Sequence, residues 1–426
     1  MSWSSPGRSA PARQVPSRRP AHLLLLAALA AAAGNGISIV AFPWLVLQRN
    51  GSALEASIVA AAASLPLLFS SLIAGTAVDF LGRQRVSILS DLLSGATVAT
   101  VPVLALTLGA GSVNVAVLAT LAGLGALFDP AGITARQSML PEAAARAGWT
   151  IDRTNGWYEA VLNVAYILGP GVAGLLIATI GGINTMWVTA AFFALSILLV
   201  SMIRLEGAGP LVVEKRAEGV WAGMLAGLRF VWSLKVLRTL ALIDLAINGL
   251  YLPMESVLFP KHFSDLKEPA QLGWVLMALS VGGLIGALAY PLLVRHLSRR
   301  AILLTATLTL GICTALIAML PPLAVILLLC ALIGLVYGPI PPIYNYVMQT
   351  MSPPQLRGRV VGVMTSLAYA AGPLGFVLAG PLADAFGLPL TFLALAVPMI
   401  AIGLASVFLP SLHDLDRSPQ QDHPTA

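Results

Sequence analysis

The chain has 426 residues, 58% hydrophobic and 10% charged, with a net charge of +6. A soluble globular domain carries about 25% charged residues, so a soluble body is excluded. The positive excess lies in short polar joints between apolar runs, which makes it a topology signal and not a nucleic-acid footprint.

In chain order, a Ser/Pro/Arg tail (1–20) precedes apolar runs of transmembrane length. They fall at roughly 21–47, 56–79, 86–109, 113–135, 155–180 and 183–203, then 237–260, 271–294, 301–320, 322–349, 359–383 and 388–410. Lipid offers no partner to an unpaired backbone group, so only helices or closed barrels cross it. These runs are apolar on every side and rich in Leu and Ala, which selects helices. The expected fold is therefore an all-α integral membrane protein of twelve transmembrane helices. Segment 204–236 joins two six-helix halves, 21–203 and 237–410. It is charged at first and then amphipathic from Val220-Trp221 to Val231-Trp232, as expected of an interfacial helix. A short polar tail, 411–426, closes the chain.

Twelve spans put both ends on one side. Of the 24 Lys and Arg, only Arg49, Lys261 and Lys267 fall on the other side, so both termini are expected in the cytoplasm. The opening arginines and Leu23–Ala33 imitate a signal peptide, but the apolar run continues past Asn35 to Leu47. A first transmembrane helix is the better reading. Cys313 and Cys330 lie inside apolar runs and imply no disulfide framework.

The halves repeat one another. Ala165-Tyr166 with Gly169-Pro170 recurs as Ala368-Tyr369 with Gly372-Pro373, each in the fifth span of its half. Asn35-Gly36 of span 1 recurs as Asn248-Gly249 of span 7, and Pro130 of span 4 has a counterpart in Pro339 of span 10. Parallel repeats of this kind place a substrate site near the midplane, between halves that rock against each other. The two Gly-Pro pairs are expected to bend or closely pack spans 5 and 11.

Gly75-Thr-Ala-Val-Asp79-Phe-Leu-Gly82-Arg83-Gln-Arg85 closes one run and opens the next. Glycines permit a tight turn between closely packed helices. Asp79 stands where it can meet a helix N-terminus or an arginine, and Arg83 and Arg85 hold the turn on the cytoplasmic side. Topogenesis with tight packing would account for the arginines without any gating role.

On these residues the chain resembles the major facilitator superfamily over essentially its whole length. Phe42-Pro43-Trp44-Leu45-Val46 with Gly51-Ser52, the Gly75–Arg85 turn with Ser90-Asp91, and Leu140-Pro141-Glu142 with Thr154-Asn155-Gly156 resemble its drug-efflux branch. That branch includes macrolide exporters and the enterobactin exporter. The resemblance implies a cytoplasmic gate at Gly75, Asp79, Gly82, Arg83 and Arg85. Phe80 stands where the family usually has an arginine. The second-half copy, around Gly286, Tyr290, His296, Arg299 and Arg300, lacks the acid. The resemblance also implies a cavity lined by spans 1, 4, 7 and 10. Its candidates here are Asn35, Phe42, Trp44, Asn248, Tyr251, Tyr344, Asn345 and Tyr346.

Charges inside spans are costly and mark functional candidates. Asp91 could instead pair with an arginine of a neighbouring loop. Asp129 could pair with Arg136 or a helix end, and Glu159 suits a helix N-terminus. Asp244 has no basic neighbour at helical spacing, Asn248 follows one turn later, and Glu255 two turns after that. Asp244 and Glu255, with Asp129 and Asp91 behind them, are the candidates for proton coupling. Glu255 could alternatively sit ionised in an outer vestibule. No phosphate-binding loop and no Cys/His metal spacing is present, so neither ATP nor a cofactor is expected, and no enzyme.

The expected function is secondary active, proton-coupled export of amphipathic small molecules from a bacterial-type plasma membrane, the direction resting on resemblance. The partners are protons, substrate and lipid, with no nucleic acid, and the fold implies a monomer. A narrow exporter of one metabolite such as a siderophore, or a non-transporting membrane receptor or assembly partner, are the alternatives.

Overall fold

The computed structural model describes residues 17–67, 70, 78, 81–205, 220–353 and 356–416. Ten helices among them are long and apolar enough to cross a membrane. One of the ten holds spans 11 and 12 together, and span 2 is described only in its first part, so the twelve-span architecture stands.

Span 1 is Arg19–Asn50, span 2 begins as Ala53–Ser64, and span 3 is Arg83–Leu108. Span 4 is Val115–Ala147, span 5 Ile151–Ile180 and span 6 Gly182–Ser201. The joint ends in the helix Val220–Ser233. Span 7 is Lys235–Pro253, a π-helical turn Met254–Leu258 and a last piece, Phe259–Asp265. Span 8 is Pro269–His296 and span 9 Arg299–Ile317. Span 10 is Leu323–Tyr337 followed by Ile340–Met351, with its break at Gly338-Pro339. Spans 11 and 12 share the run Arg357–Val407, broken at Gly387, whose φ of 80° and ψ of 167° only glycine adopts freely.

The starts are written locally. Ser52, Asn114, Thr150 and Ser298 each accept a hydrogen bond from the backbone N–H three residues on, which satisfies a donor the helix cannot. Span 4 differs from expectation. It does not end near residue 135 but continues to Ala147, where Gly148 closes it with a left-handed cap. Arg136 is thereby moved from a cytoplasmic loop into the helix, at 3% exposure. Lys and Arg counting treats every cation as solvated; this one is paired inside the bundle.

Glycines set the helix crossings. A Cβ on Gly169 would stand 2.9 Å from Cα of Gly36, so the repeated Asn-Gly and Gly-Pro pairs are where spans 1 and 5 touch. In the second half spans 7 and 11 cross at Gly249, but the partner glycine is Gly375, one turn beyond Gly372. Spans 8 and 10 mesh through Gly282 and Gly286 against Gly334 and Gly338. Each glycine faces a backbone oxygen that would stand about 2 Å from an added Cβ.

Among the described residues the two halves meet mainly along two seams, with the outer end of span 7 also against spans 1 and 2. Span 5 meets span 8, where Gly174 faces the Pro269 carbonyl and Gly273 faces those of Pro170 and Gly171. Span 2 meets span 11, where Gly380 faces Ser57 and the Ala53 carbonyl, and Gly372 faces Ser64. These close contacts involve the end of each span that the charge pattern assigns to the outer side. The inner end of span 5 leaves Asn155, Gly156, Trp157 and Glu159 exposed.

Candidate functional site

Two polar clusters stand inside the bundle, one in each half. In the first, Asp91 of span 3 lies buried against Arg136 of span 4. The Arg136 Nη1 donates to both carboxylate oxygens, at 2.9 and 2.8 Å, and to Ser87 Oγ at 3.3 Å. Ser196 of span 6 gives its hydroxyl proton to Asp91 at 2.7 Å, and its Oγ also lies 3.0 Å from the Ala27 carbonyl of span 1. Tyr158 of span 5 is buried beside the guanidinium. Five spans thus converge on one ion pair. Asp129 stands two turns before Arg136 on the same face of span 4 and accepts from Ser94 at 2.6 Å. Ser90 donates to the Phe128 carbonyl just before Pro130.

The alternatives for Asp91 are thereby decided by geometry. It is committed to Arg136 across 45 residues of sequence. Glu159 is exposed on the inner part of span 5.

The second cluster runs along span 7. Positions 244, 248, 251 and 255 are spaced by four, three and four residues, which stacks them on one helical face. Asn248 Nδ2 donates to Asp244 Oδ1 at 2.9 Å and to its backbone carbonyl at 3.0 Å. The Tyr337 hydroxyl of span 10 donates to Asn248 Oδ1 at 3.3 Å. The Tyr337 ring stacks on that of Tyr251, centroids 5.6 Å apart and planes within 8°. Glu255 stands beside Tyr251, one turn further along the same face. Glu255 stands in the π-helical turn that follows Pro253. Such single turns often mark functional positions.

Asp244 borders a cavity of about 10 Å³, the room of one water, between spans 7, 9 and 10. Thr307, Tyr337 and Tyr344 supply its other polar walls. No cation bridges to Asp244 or Glu255 among the described residues.

The remaining candidates separate. Tyr344 joins Asp244, while Asn345 beside it is exposed. Tyr346 points elsewhere: its ring lies 3.7 Å under the Arg299 guanidinium, against the start of span 9. Asn35 is half-buried, and Phe42 and Trp44 are buried within the apolar core. Of the expected gate, Gly75 and Asp79 lie outside the described residues. Gly82 is the positive-φ residue that opens span 3, Arg85 is exposed, and Arg83 pairs with Glu142 of span 4 at 2.5 Å.

Two groups escaped the sequence reading. Tyr337 carried no signal, since one tyrosine in an apolar run is usually packing. Asp384 did carry one: Gly380-Pro-Leu-Ala-Asp384-Ala-Phe-Gly387 repeats the spacing of Gly75, Asp79 and Gly82 at the end of span 11.

A family model, Major Facilitator Superfamily, matches residues 24–376 and again 256–425. The chain belongs to the major facilitator superfamily. It is 67% identical over 399 residues to the multidrug efflux pump Tap of Mycolicibacterium fortuitum, covering 94% of this chain and 98% of that one. It is 63% identical over 406 residues to Tap of Mycobacterium tuberculosis, covering 95% and 97%. The staphyloferrin A transporter of Staphylococcus aureus is 22% identical over 384 residues, covering 88% and 92%. Among solved structures, a mutant of the nucleoside transporter NupG superposes with a TM-score of 0.74 at 12% identity, over 91% of this chain and 99% of that one. A bacterial homologue of ferroportin in an inward-facing state gives 0.69 at 19% identity, over 91% and 98%. These structural likenesses speak for the fold alone. The chain is a multi-pass membrane transporter by family.

Proposed function

We propose that the protein exports amphipathic small molecules from the cytoplasm across the plasma membrane by proton-coupled alternating access, as a monomer with both termini inside. The observation that supports the coupling is the span 7 line, in which two half-buried carboxylates with no cation partner among the described residues lie in one row with Asn248, Tyr337 and Tyr251. A carboxylate within a span that no cation neutralises is where a proton can be held and released as the cavity changes sides. The high identity to pumps named for multidrug efflux supports the substrate class and the direction.

In this reading a proton enters at Glu255 near the outer end, passes the two tyrosines, and leaves from Asp244 near the inner end. Eleven residues of helix, about 16 Å at 1.5 Å per residue, separate the two acids. The glycine mesh between spans 8 and 10 holds Tyr337 rigidly in that line. Asp91 and Arg136 balance one another and hold the first half together. The turn at Gly75, Asp79, Gly82, Arg83 and Arg85 gates the cytoplasmic side, with the Arg83–Glu142 pair as its anchor.

The test is efflux of a fluorescent lipophilic cation from pump-depleted cells expressing the protein, with and without a protonophore. Protonophore-sensitive extrusion is the expected result. No extrusion with the protein present in the membrane overturns the multidrug reading.

A further inference from the structure

The outer end of span 2 is capped by the opposite half of the molecule. The first four N–H groups of any helix have no partner within it. Here the Ser52 carbonyl takes the Ala56 N–H at 3.2 Å, the first bond of the helix itself, and the Ser52 Oγ takes the otherwise unpartnered Glu55 N–H at 3.2 Å. The two donors before it, Ala53 and Leu54, give their protons to Asp384 of span 11, at 2.8 Å to Oδ1 and 2.9 Å to Oδ2. The Ser52 hydroxyl itself donates to Asp384 Oδ2 at 2.8 Å. One carboxylate therefore takes three hydrogen bonds from the other half, more than 300 residues away in sequence.

Three further observations single this contact out. Asp384 is exposed, so water competes for it and the contact can open and close. Directly beneath it Gly380 seats on Ser57, so closely that a Cβ there would stand 2.2 Å from the hydroxyl oxygen. Lys261, at the outer end of span 7, adds an attractive positive charge and is itself paired with Asp265.

We infer that Asp384 is the latch of the outer gate: it holds the extracellular ends of the halves together by completing the N-cap of span 2, and its release admits the outward-open state. The inference rests on the alternating-access reading above, though not on any substrate or proton. The same Gly-x-x-x-Asp-x-x-Gly spacing stands in the sequence at Gly75–Gly82 and at Gly380–Gly387. In each copy the last glycine has positive φ, 88° at Gly82 and 80° at Gly387, and turns the chain away just after the acid.

The test reads the gate without transport. Ser57→Cys places a thiol beneath the latch, at a site 2% exposed in the closed form, and the native Cys313 and Cys330 are buried. Intact cells are treated with a membrane-impermeant maleimide from outside. Slow labelling is expected for S57C alone; fast labelling there overturns the closed outer gate. Adding D384A is expected to raise the rate about tenfold, the shift that loss of one good cap produces in a two-state equilibrium. Only protein that elutes as a single species after extraction is scored. D384N, which keeps one acceptor, and S52A, which removes one donor, are expected to give smaller rises. If D384A fails to fold, these two variants carry the test. Unchanged labelling in every well-folded variant overturns the latch, whatever the efflux assay shows.

Discussion

The two halves share a backbone plan, and Asp91 in the first and Asp244 in the second are handled in opposite ways. Asp91 is committed: it meets Arg136 and takes a third hydrogen bond from Ser196, and five spans hold the pair, while Asp129 beside it has only Ser94. Asp244 has an amide and a cavity beside it, and Glu255 stands next to Tyr251. A paired charge is a fixed part of a bundle, whereas an unpaired one can change its protonation. The division of labour is legible in which side chains surround each carboxylate, more than in depth along the helix.

The contrast breaks first at the ion pair. Removing one partner strands the other charge in the bundle, which costs about 3–5 kcal/mol. Arg136→Ala or Asp91→Ala should therefore cut thermal stability and membrane abundance sharply, while Asp244→Asn leaves both nearly intact. Similar melting of all three purified proteins would erase the distinction. Next comes coupling. Asp244→Asn is expected to lower protonophore-sensitive efflux at least about tenfold, the weight of one lost interaction worth 1.4 kcal/mol in the cycle. Retained efflux would take Asp244 out of the mechanism.

Smaller effects sharpen the picture. Tyr337→Phe removes one hydroxyl from the line at about 1 kcal/mol, and a roughly fivefold slower efflux with unchanged stability is expected. A native rate would leave Tyr337 a packing residue. Glu142→Gln should cost less stability than either variant of the Asp91–Arg136 pair. The Arg83–Glu142 side chains are 14% and 32% exposed, against 4% and 3% for Arg136 and Asp91, so the charge left behind is the less desolvated one. A large drop in melting temperature would mean the pair belongs to the bundle and not to a gate turn.

Much of the architecture was written in local pattern. Apolar run lengths define the spans, and Ser, Thr and Asn before them define the caps. The Asn-Gly and Gly-Pro repeats meet in the first half, at Gly36 and Gly169, because only glycine lets helices approach that closely; in the second half Gly249 meets Gly375 instead. Span 4 escaped because a charged residue reads as a helix end until its partner is known, and Asp91 lies 45 residues from Arg136. Asp244, Asn248 and Glu255 were visible through helical spacing along one face. Tyr337 was not, because a cross-helix partner leaves no periodic mark. Asp384 was legible through the Gly380–Gly387 spacing, but its partner was not: it satisfies backbone donors of a distant helix, and backbone donors have no residue type.

The central claim is that the free acids of span 7 couple protons to substrate. It is tested most directly in proteoliposomes carrying wild-type or Asp244→Asn protein and a fluorescent lipophilic cation. Wild type should both exchange substrate at equal pH and move it against its gradient when a pH difference is imposed. The account predicts that D244N keeps exchange, which needs no net proton movement, and loses pH-driven transport. A D244N protein that still responds to the pH difference as wild type does would contradict it.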